Sequence, residues 1–283
     1  MKGRLLISGG SGFIAGALCR DFASRGFEVV VTTSSPGQPN SYCFGDRVNS
    51  EILDGVMTVV HAAYDSRLGT RQLNIDGTVA LSEAARKQGV QSEVFISSFS
   101  ALTGVKSDYA EVKRALEKYF LGLPGTSIIR PGLVIGNGGL FAKMAQVVRL
   151  SPIIPLIDGG RSAVPVIGLS DLLRAILHLT QTRQCGEFNL LKVEKVSLFS
   201  LLNEYARQQK LHRYFLNVPS SPILLLIRAL ESLGLRLPIS TQNLQGLRAN
   251  QGAEFQSHLH ELIGRELSLE KLLAELTQNS NAT

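Results

Sequence analysis

The chain has 283 residues, of which 44% are hydrophobic and 18% are charged. This composition supports one large core, or one core with a smaller lobe, and excludes an intrinsically disordered protein. The net charge is +6, but there is no basic run and no aromatic residue interleaved with Lys and Arg, so we expect no nucleic-acid partner.

The cysteines and the apolar segments are typical of a cytoplasmic protein. The three cysteines, Cys19, Cys43 and Cys185, lack the spacing of a disulfide framework or a metal site. The first apolar run is short and stops at Gly9, unlike the apolar region of a signal peptide. No apolar run approaches the roughly 20 residues of a membrane-spanning helix, so we expect no transmembrane segment.

Residues 4 to 135 alternate short apolar runs with longer helical patterns. Helices are predicted over residues 13–25, 69–88 and 108–121. Strands are predicted at residues 5–7, 29–31, 56–60, 94–96 and 127–129. Strands without strict polar and apolar alternation, separated by helices, indicate a parallel sheet covered on both faces. The expected fold class is α/β, with a Rossmann-type doubly wound parallel sheet.

A glycine-rich turn, Ser8-Gly9-Gly10-Ser11-Gly12-Phe13-Ile14-Ala15, joins the first predicted strand to the first predicted helix. Glycines let the backbone approach a pyrophosphate, and the helix N-terminus offers free N–H groups and a favourable dipole. The position between a strand and a helix favours dinucleotide binding over an ordinary surface turn. The residues expected to contact the cofactor are Gly9, Gly10, Ser11, Gly12, Phe13 and Ile14.

The end of the second predicted strand bears on the choice between NAD and NADP. Rossmann proteins that prefer NAD usually carry Asp or Glu there, which binds the ribose 2′-hydroxyl. This chain has Thr32-Thr33-Ser34-Ser35, and no arginine follows immediately. The cofactor is therefore predicted to be NAD or NADP, with the hydroxyls favouring NADP and Thr33 as a contact.

The pattern changes after Pro131. Prolines and glycines cluster between residues 152 and 165, and helical patterns dominate from there onward. We expect an NAD(P)-binding domain over residues 1–150 and a smaller, mainly helical substrate-binding lobe over residues 151–283, interleaved with the end of the sheet. Residues 218–237 have an amphipathic pattern, which fits a helix folded on its own lobe or resting on a partner or a membrane surface.

Several segments resemble the extended and atypical short-chain dehydrogenases/reductases, the NAD-dependent epimerase/dehydratase or nucleotide-sugar epimerase family. The glycine turn resembles the family fingerprint TGxxGFIG, and residues 74–78 (NIDGT) resemble its NxxGT helix. Residues 95–98, 109–113 and 129–132 follow in the family's order. The resemblance implies that Asp46 holds the adenine ring and that the strand ending at Ala62 and Ala63 lies beneath the nicotinamide. It also places Pro131 at the cofactor.

A Tyr-x-x-x-Lys pair, Tyr109 and Lys113, opens the third predicted helix after a serine-rich strand end. Such a spacing also arises between ordinary neighbours on a helix. The resemblance implies that Tyr109 is the general acid or base and that Lys113 lowers the pKa of its phenol and binds the nicotinamide ribose. Ser97, Ser98 and Ser100 are candidates for the third catalytic residue, and we favour Ser98.

The resemblance implies an NAD(P)-dependent epimerase or reductase, acting by Tyr/Lys-assisted hydride transfer on a hydroxyl or keto group of a nucleotide-activated sugar. One alternative is a reductase of an apolar alcohol, steroid-like or isoprenoid-like. The other is a non-catalytic nucleotide-binding assembly protein. Family members often dimerise through a bundle that includes the Tyr-bearing helix, so the resemblance also implies a homodimer. We expect no metal, because His61 lies in an apolar strand without ligand spacing.

Overall fold

The computed structural model describes residues 3–33, 41–104, 107–192, 194–219, 256–265 and 267–280. Its main sheet has six strands, and every neighbouring pair is parallel. The strands are β1 (Arg4–Ser8), β2 (Glu28–Thr32), β3 (Val56–His61), β4 (Ser92–Ile96), β5 (Thr126–Pro131) and β10 (Gly186–Leu190). Their order across the sheet is β2-β1-β3-β4-β5-β10. Each of the five predicted strands lies inside one of these.

Helices cover both faces of this sheet. Helices α1 (Phe13–Ser24) and α5 (Leu169–Thr182) pack on one face, and α2 (Arg71–Lys87) and α3 (Asp108–Leu121) pack on the other. Strand β1 shows how the sequence supports both layers, because Leu5 and Ile7 join the α1/α5 core while Leu6 joins the α2 core. The predicted Rossmann-type doubly wound sheet is confirmed.

The region after β5 adds short strands to the predicted helices. They form three two-stranded sheets. The pairs are β6 (Leu133–Ile135) with β9 (Val166–Gly168), β7 (Ile153–Ile157) with β12 (Tyr214–Val218), and β8 (Ala163–Val164) with β11 (Val196–Ser197). Helices α4 (Gly139–Leu150), α6 (Leu198–Gln208) and α8 (Leu269–Ser280) surround a second apolar core.

The proposed boundary between the two domains stays a prediction. Strand β10 and helix α5 follow residue 150 in the chain, yet both belong to the main sheet and its cover. The amphipathic segment is described only at residues 218 and 219, so its predicted helix lies outside the described residues. Within the described part of the chain, no helix combines the length and apolar character that a membrane span requires.

The C-terminal part of the chain returns to the main sheet through helix α7 (Leu259–Ile263). Leu259 and Leu262 are buried in the α1/α5 core. His258, which precedes the helix, protects the edge strand β10: its Nδ1 accepts from the Asn189 N–H at 3.0 Å, and its own N–H donates to the Asn189 carbonyl at 2.9 Å. Asn189, in the edge strand, is thereby bonded at both its N–H and its carbonyl.

An ion pair between the buried Asp171 and the partly exposed Arg265 ties the same C-terminal region to the start of α5. Asp171 is 1% exposed, and its Oδ1 accepts from Arg265 at 2.8 Å (Nε) and 2.5 Å (Nη2). Burial raises the pKa of the Asp171 carboxyl, and the bonds from Arg265 oppose that rise. Beside it, Ser170 Oγ donates to Glu275 of α8 at 2.6 Å.

We expect Arg265→Leu to lower the free energy of unfolding by about 3 kcal/mol, because it leaves the Asp171 carboxylate buried without its partner. The matched control is Arg207→Leu, which removes an arginine paired with Glu204 but 61% exposed. That variant should lose much less stability, because exposed ion pairs contribute little. Urea unfolding followed by circular dichroism measures both, and equal losses would contradict the assignment.

Candidate active site

The glycine turn lies at the carboxyl end of β1. The N–H groups of Gly9 and Gly10 donate to the Thr32 carbonyl at 3.1 and 3.0 Å, which joins the turn to the end of β2. Gly9 has a φ of +78°, and a Cβ at this position would lie 2.7 Å from the Ala63 Cα. Only glycine therefore fits, both for its backbone angle and for its close approach to β3.

Ser8 ties the glycine turn to the end of β3. Its buried Oγ accepts from the N–H groups of Ala62 and Ala63 at 3.0 and 3.2 Å. The two alanines predicted to line the cofactor are therefore held beside the turn predicted to bind its pyrophosphate. Sequence reasoning treats Ser8 only as a turn residue and misses this bond between strands.

The start of α1 fits an anionic group. Gly12 is the N-cap residue, no side chain caps this helix, and its first turn carries no acidic residue. Backbone N–H groups and the positive end of the helix dipole are therefore directed at the turn. These residues fit the pyrophosphate of a dinucleotide.

The other motif residues differ in their surroundings. The Phe13 ring packs so closely on the loop before α4 that a Cβ at Gly138 would overlap it. Ile14 packs against the α1/α5 core, and Ser11 is exposed. Phe13 and Ile14 therefore use their side chains to anchor the helix, which leaves their backbone for a ligand.

The segments predicted to hold the adenosine lie after β2. The Thr33 carbonyl accepts from the Tyr42 N–H at 2.9 Å, whereas Ser34 and Ser35 lie outside the described residues. Asp46 is exposed, in a turn that its N–H closes onto the Cys43 carbonyl at 3.0 Å.

The glycine of the NIDGT segment is explained by packing. A Cβ at Gly77 would overlap the Phe44 ring, and the Gly77 carbonyl accepts from the Tyr42 hydroxyl at 2.7 Å. Asn74 holds the loop that follows β3, because its side chain accepts from the Asp65 N–H at 2.7 Å and donates to the Asp65 carbonyl at 2.9 Å. This segment therefore stabilises the loop that follows β3 and the segment that contains Tyr42 and Phe44.

The three predicted catalytic side chains meet at the carboxyl end of β4. Helix α3 begins after Ser107, whose Oγ caps the Ala110 N–H at 3.2 Å. Tyr109 accordingly lies in the first turn of α3, near Ser98, whose hydroxyl acts to lower the pKa of the Tyr109 phenol. One turn further, Lys113 Nζ donates to the Ile96 carbonyl at 2.7 Å and lies 5.7 Å from the centroid of the Tyr109 ring.

Burial changes the acidity of both titratable groups. It raises the pKa of the Tyr109 phenol, while the hydrogen bond with Ser98 acts in the opposite direction. Burial lowers the pKa of Lys113 to about 8, and the charge of Glu117 opposes this change. Lys113 is 4% exposed, so its ammonium group has little access to water.

Tyr64 connects these residues to the glycine turn, and sequence reasoning misses it. Its ring meets that of Tyr109 edge-on, with centroids 4.9 Å apart, and lies 5.7 Å from Lys113 Nζ. Burial raises the pKa of Tyr64 to about 12, which keeps its phenol protonated. Because Tyr64 follows Ala63, which touches Gly9, the two halves of the site are contiguous. The sequence feature that could have identified Tyr64 is its position directly after the Ala62-Ala63 pair.

The structure separates the candidate serines. Ser97 Oγ donates to the buried carboxylate of Glu117, on the side away from Tyr109. Ser98 and Ser100 point the other way, and their Oγ atoms are 3.0 Å apart. The turn after β4 sets this arrangement, because the strand ends at Ile96 and Ser98 caps the short 3-10 helix (Phe99–Ala101) that contains Ser100.

Substituting Gly9 with alanine should weaken NADPH binding by roughly tenfold or more. A tenfold change corresponds to ~1.4 kcal/mol of binding free energy. The Cβ would force the Ala63 backbone away from the turn. Gly26→Ala is the matched control, since Gly26 has a φ of +84° but no heavy atom within 4 Å of an added Cβ. Both variants should lose about 1–2 kcal/mol of stability from the backbone angle. Fluorescence titration with NADPH compares them, and equal affinities would contradict the assignment.

Known proteins share both the sequence and the fold. A 3-beta-hydroxysteroid dehydrogenase from Mycolicibacterium neoaurum is 30% identical over 188 residues, covering 51% of this chain and 51% of that protein. The match therefore spans about half the length of this relative.

Two solved structures show the same fold. One is MoeE5 in complex with UDP-glucose and NAD, with a TM-score of 0.72, 18% identity, and coverage of 99% of this chain and 100% of that one. The other is the human epimerase family protein SDR39U1 (isoform 2) with NADPH, with a TM-score of 0.71, 19% identity, and coverage of 98% and 99%.

The sequence profile of the NAD-dependent epimerase/dehydratase family matches residues 5–190. These residues contain the main sheet except for its first residue, Arg4, together with the glycine turn and the cluster of Ser98, Tyr109 and Lys113. The chain therefore belongs to the NAD-dependent epimerase/dehydratase family, as the resemblance implies.

Proposed function

We propose that this enzyme transfers a hydride to or from a hydroxyl or keto group of a nucleotide-activated sugar, as an epimerase or a reductase. The observation that carries the proposal is the convergence of Ser98, Tyr109 and Lys113 at the carboxyl end of β4. Tyr64 and Ala63 link this cluster to the glycine turn. A catalytic acid or base thus lies beside a dinucleotide cradle.

Tyr109 is the proposed general acid or base. Its protonated phenol donates to a carbonyl oxygen during reduction, and its phenolate accepts the proton of a hydroxyl during oxidation. The ammonium group of Lys113 stabilises the phenolate, and Ser98 bonds the same substrate oxygen. When bound, NAD(P) supplies or accepts the hydride.

The backbone of the glycine turn and the start of α1 would hold the pyrophosphate, through Gly9, Gly10, Ser11, Gly12, Phe13 and Ile14. Thr33 and Asp46 would hold the adenosine. Ala62, Ala63, Lys113 and Pro131 would surround the nicotinamide and its ribose. Because Thr33 stands where NAD-dependent proteins carry a carboxylate, we favour NADP.

A cleft of about 500 Å³ in the smaller lobe supports a nucleotide-sugar substrate. It is lined by Arg161, Asn217, Phe199 and Phe215, together with Leu156, Gly159, Ser197 and Leu216. An arginine can bind a diphosphate and aromatic rings can stack on a base. A substrate that is apolar throughout would instead favour a lining of Leu and Ile without a cation.

The second candidate is the oxidation or reduction of a steroid-like alcohol, favoured by the identity with 3-beta-hydroxysteroid dehydrogenase. We set aside the non-catalytic assembly role, because the three proposed catalytic residues are present and lie close together at the carboxyl end of β4. The homodimer and the cytoplasmic location stay predictions.

To test the function, the purified protein is denatured and any released nucleotide is identified by mass spectrometry. Turnover is then measured with added NAD(P) on UDP-sugars, GDP-sugars and 3β-hydroxysteroids. Turnover of a sugar nucleotide supports the proposal, and turnover of the steroids alone would replace it with the second candidate. No turnover of either class, or no binding of NAD(P)H, would contradict it.

Tyr109→Phe removes the proton that is transferred but keeps the ring that packs on Tyr64. We expect the rate to fall by about 100- to 10,000-fold, with little change in NAD(P)H affinity. Tyr119→Phe is the control on the same helix, where Tyr119 packs on Phe120, away from Ser98. Comparable activity in the two variants would show that Tyr109 is not the acid or base.

A further inference from the structure

The two-stranded sheet of β7 and β12 exposes apolar side chains to solvent. The strands are parallel, with Tyr214 opposite Ile153 and Leu216 opposite Pro155, so all four side chains lie on the same side of this sheet. Tyr214 is 76% exposed, and Ile153 and Leu216 are each more than half exposed. Pro155 is exposed as well. One side of the small sheet is therefore apolar and open.

The opposite side of the same sheet belongs to a core. Ile154 and Leu156, which alternate with the exposed residues of β7, are buried in the second apolar core. Parallel strands are normally covered on both faces, and a contiguous exposed apolar patch marks an interaction site. Leu150, the last residue of α4, is also exposed and precedes β7. We call the outer set the apolar face: Leu150, Ile153, Pro155, Tyr214 and Leu216.

Positive charges border the start of both strands. The segments that lead into β7 and β12 lie side by side, because Arg213 Nη2 donates to the Arg149 carbonyl at 2.9 Å. Residues 144–157 and 208–219 contain Arg149, Lys210 and Arg213 but no aspartate or glutamate. Arg149 and Lys210 are exposed. The apolar face is therefore flanked by cations that no acidic residue of these two segments neutralises.

We propose that the apolar face docks the protein on an anionic membrane surface. In this arrangement the apolar side chains lie at the boundary between headgroups and acyl chains, and the three cations meet the lipid phosphates. Tyrosine is typical of this boundary, because its ring is apolar and its hydroxyl reaches water. An anionic lipid surface complements both the apolar area and the charge, and it requires no matching shape.

The membrane contact lies outside the proposed catalytic group, so it does not depend on the proposed function. It does bear on substrate access, because Leu216 also lines the cleft of the smaller lobe. Docking through the apolar face therefore brings one wall of that cleft next to the lipid.

Co-sedimentation of the full chain with vesicles tests the proposal. The vesicles contain either phosphatidylcholine alone or equal parts of phosphatidylcholine and phosphatidylglycerol. We expect binding to the anionic vesicles, weaker binding to the neutral ones, and loss of this difference at high salt, which screens the cations. Arg149→Gln combined with Lys210→Gln should lower the partition coefficient on anionic vesicles by about fivefold per cation and leave that on neutral vesicles unchanged.

A second variant tests the apolar contribution. Ile153→Thr combined with Tyr214→Thr removes apolar area but keeps the β-propensity of both strands. Binding to anionic vesicles should fall by about tenfold or more. The matched control is Leu68→Thr combined with Leu121→Thr, which removes two apolar side chains that are 92% and 56% exposed outside the apolar face. This control should bind like the unchanged protein.

No binding of the unchanged protein to anionic vesicles, or equal losses in the two threonine variants, would overturn the proposal. Cover by the amphipathic segment 218–237 of the same chain would leave the unchanged protein in the supernatant and lower the unfolding midpoint of the Ile153→Thr/Tyr214→Thr variant. Cover by a second copy would appear in ultracentrifugation as a dimer that this variant abolishes. If this variant does not fold, the glutamine variant decides, since unchanged binding there contradicts the proposal.

Discussion

The contact between α3 and the carboxyl end of β4 sets the geometry on which the rest of the site depends. Below the edge of the sheet this contact is apolar, with Phe95 stacked on Phe120 at 4.8 Å between ring centroids. At the edge, where strand pairing ends, the contact becomes polar, and Lys113 donates a hydrogen bond to the Ile96 carbonyl. Apolar packing therefore fixes the helix, and the groups needed for chemistry occupy its last contacts with the strand.

The parallel sheet brings this contact next to the glycine turn. Because β1, β3 and β4 are neighbours and run in the same direction, the segments that follow them emerge at one edge. Ser8 then bonds the ends of β1 and β3, and Tyr64 extends from β3 to Tyr109. The dinucleotide cradle and the catalytic group are separated by one short segment, residues 62–64, which is fixed at both ends.

Sequence patterns predict the elements and residues with strong local signals. The five buried strands and the helices between them follow from hydrophobic periodicity, and the glycine turn and the Tyr109-Lys113 spacing are visible as local motifs. Sequence patterns do not reveal the roles of Tyr64 and Ser8, because those roles depend on neighbours from other elements. The two- and three-residue strands of the smaller lobe are too short to show a period.

The position of α7 affects how the chain folds while it is being synthesised. Leu259 and Leu262 belong to the same core as α1, and His258 closes the edge strand β10. A ribosome adding about 5–20 residues per second therefore exposes the main sheet for several seconds before the residues that complete it emerge. During that interval an apolar face and an unpaired strand edge are accessible to other nascent chains. Residues 258–262 thus protect a core and a strand edge that are synthesised before them.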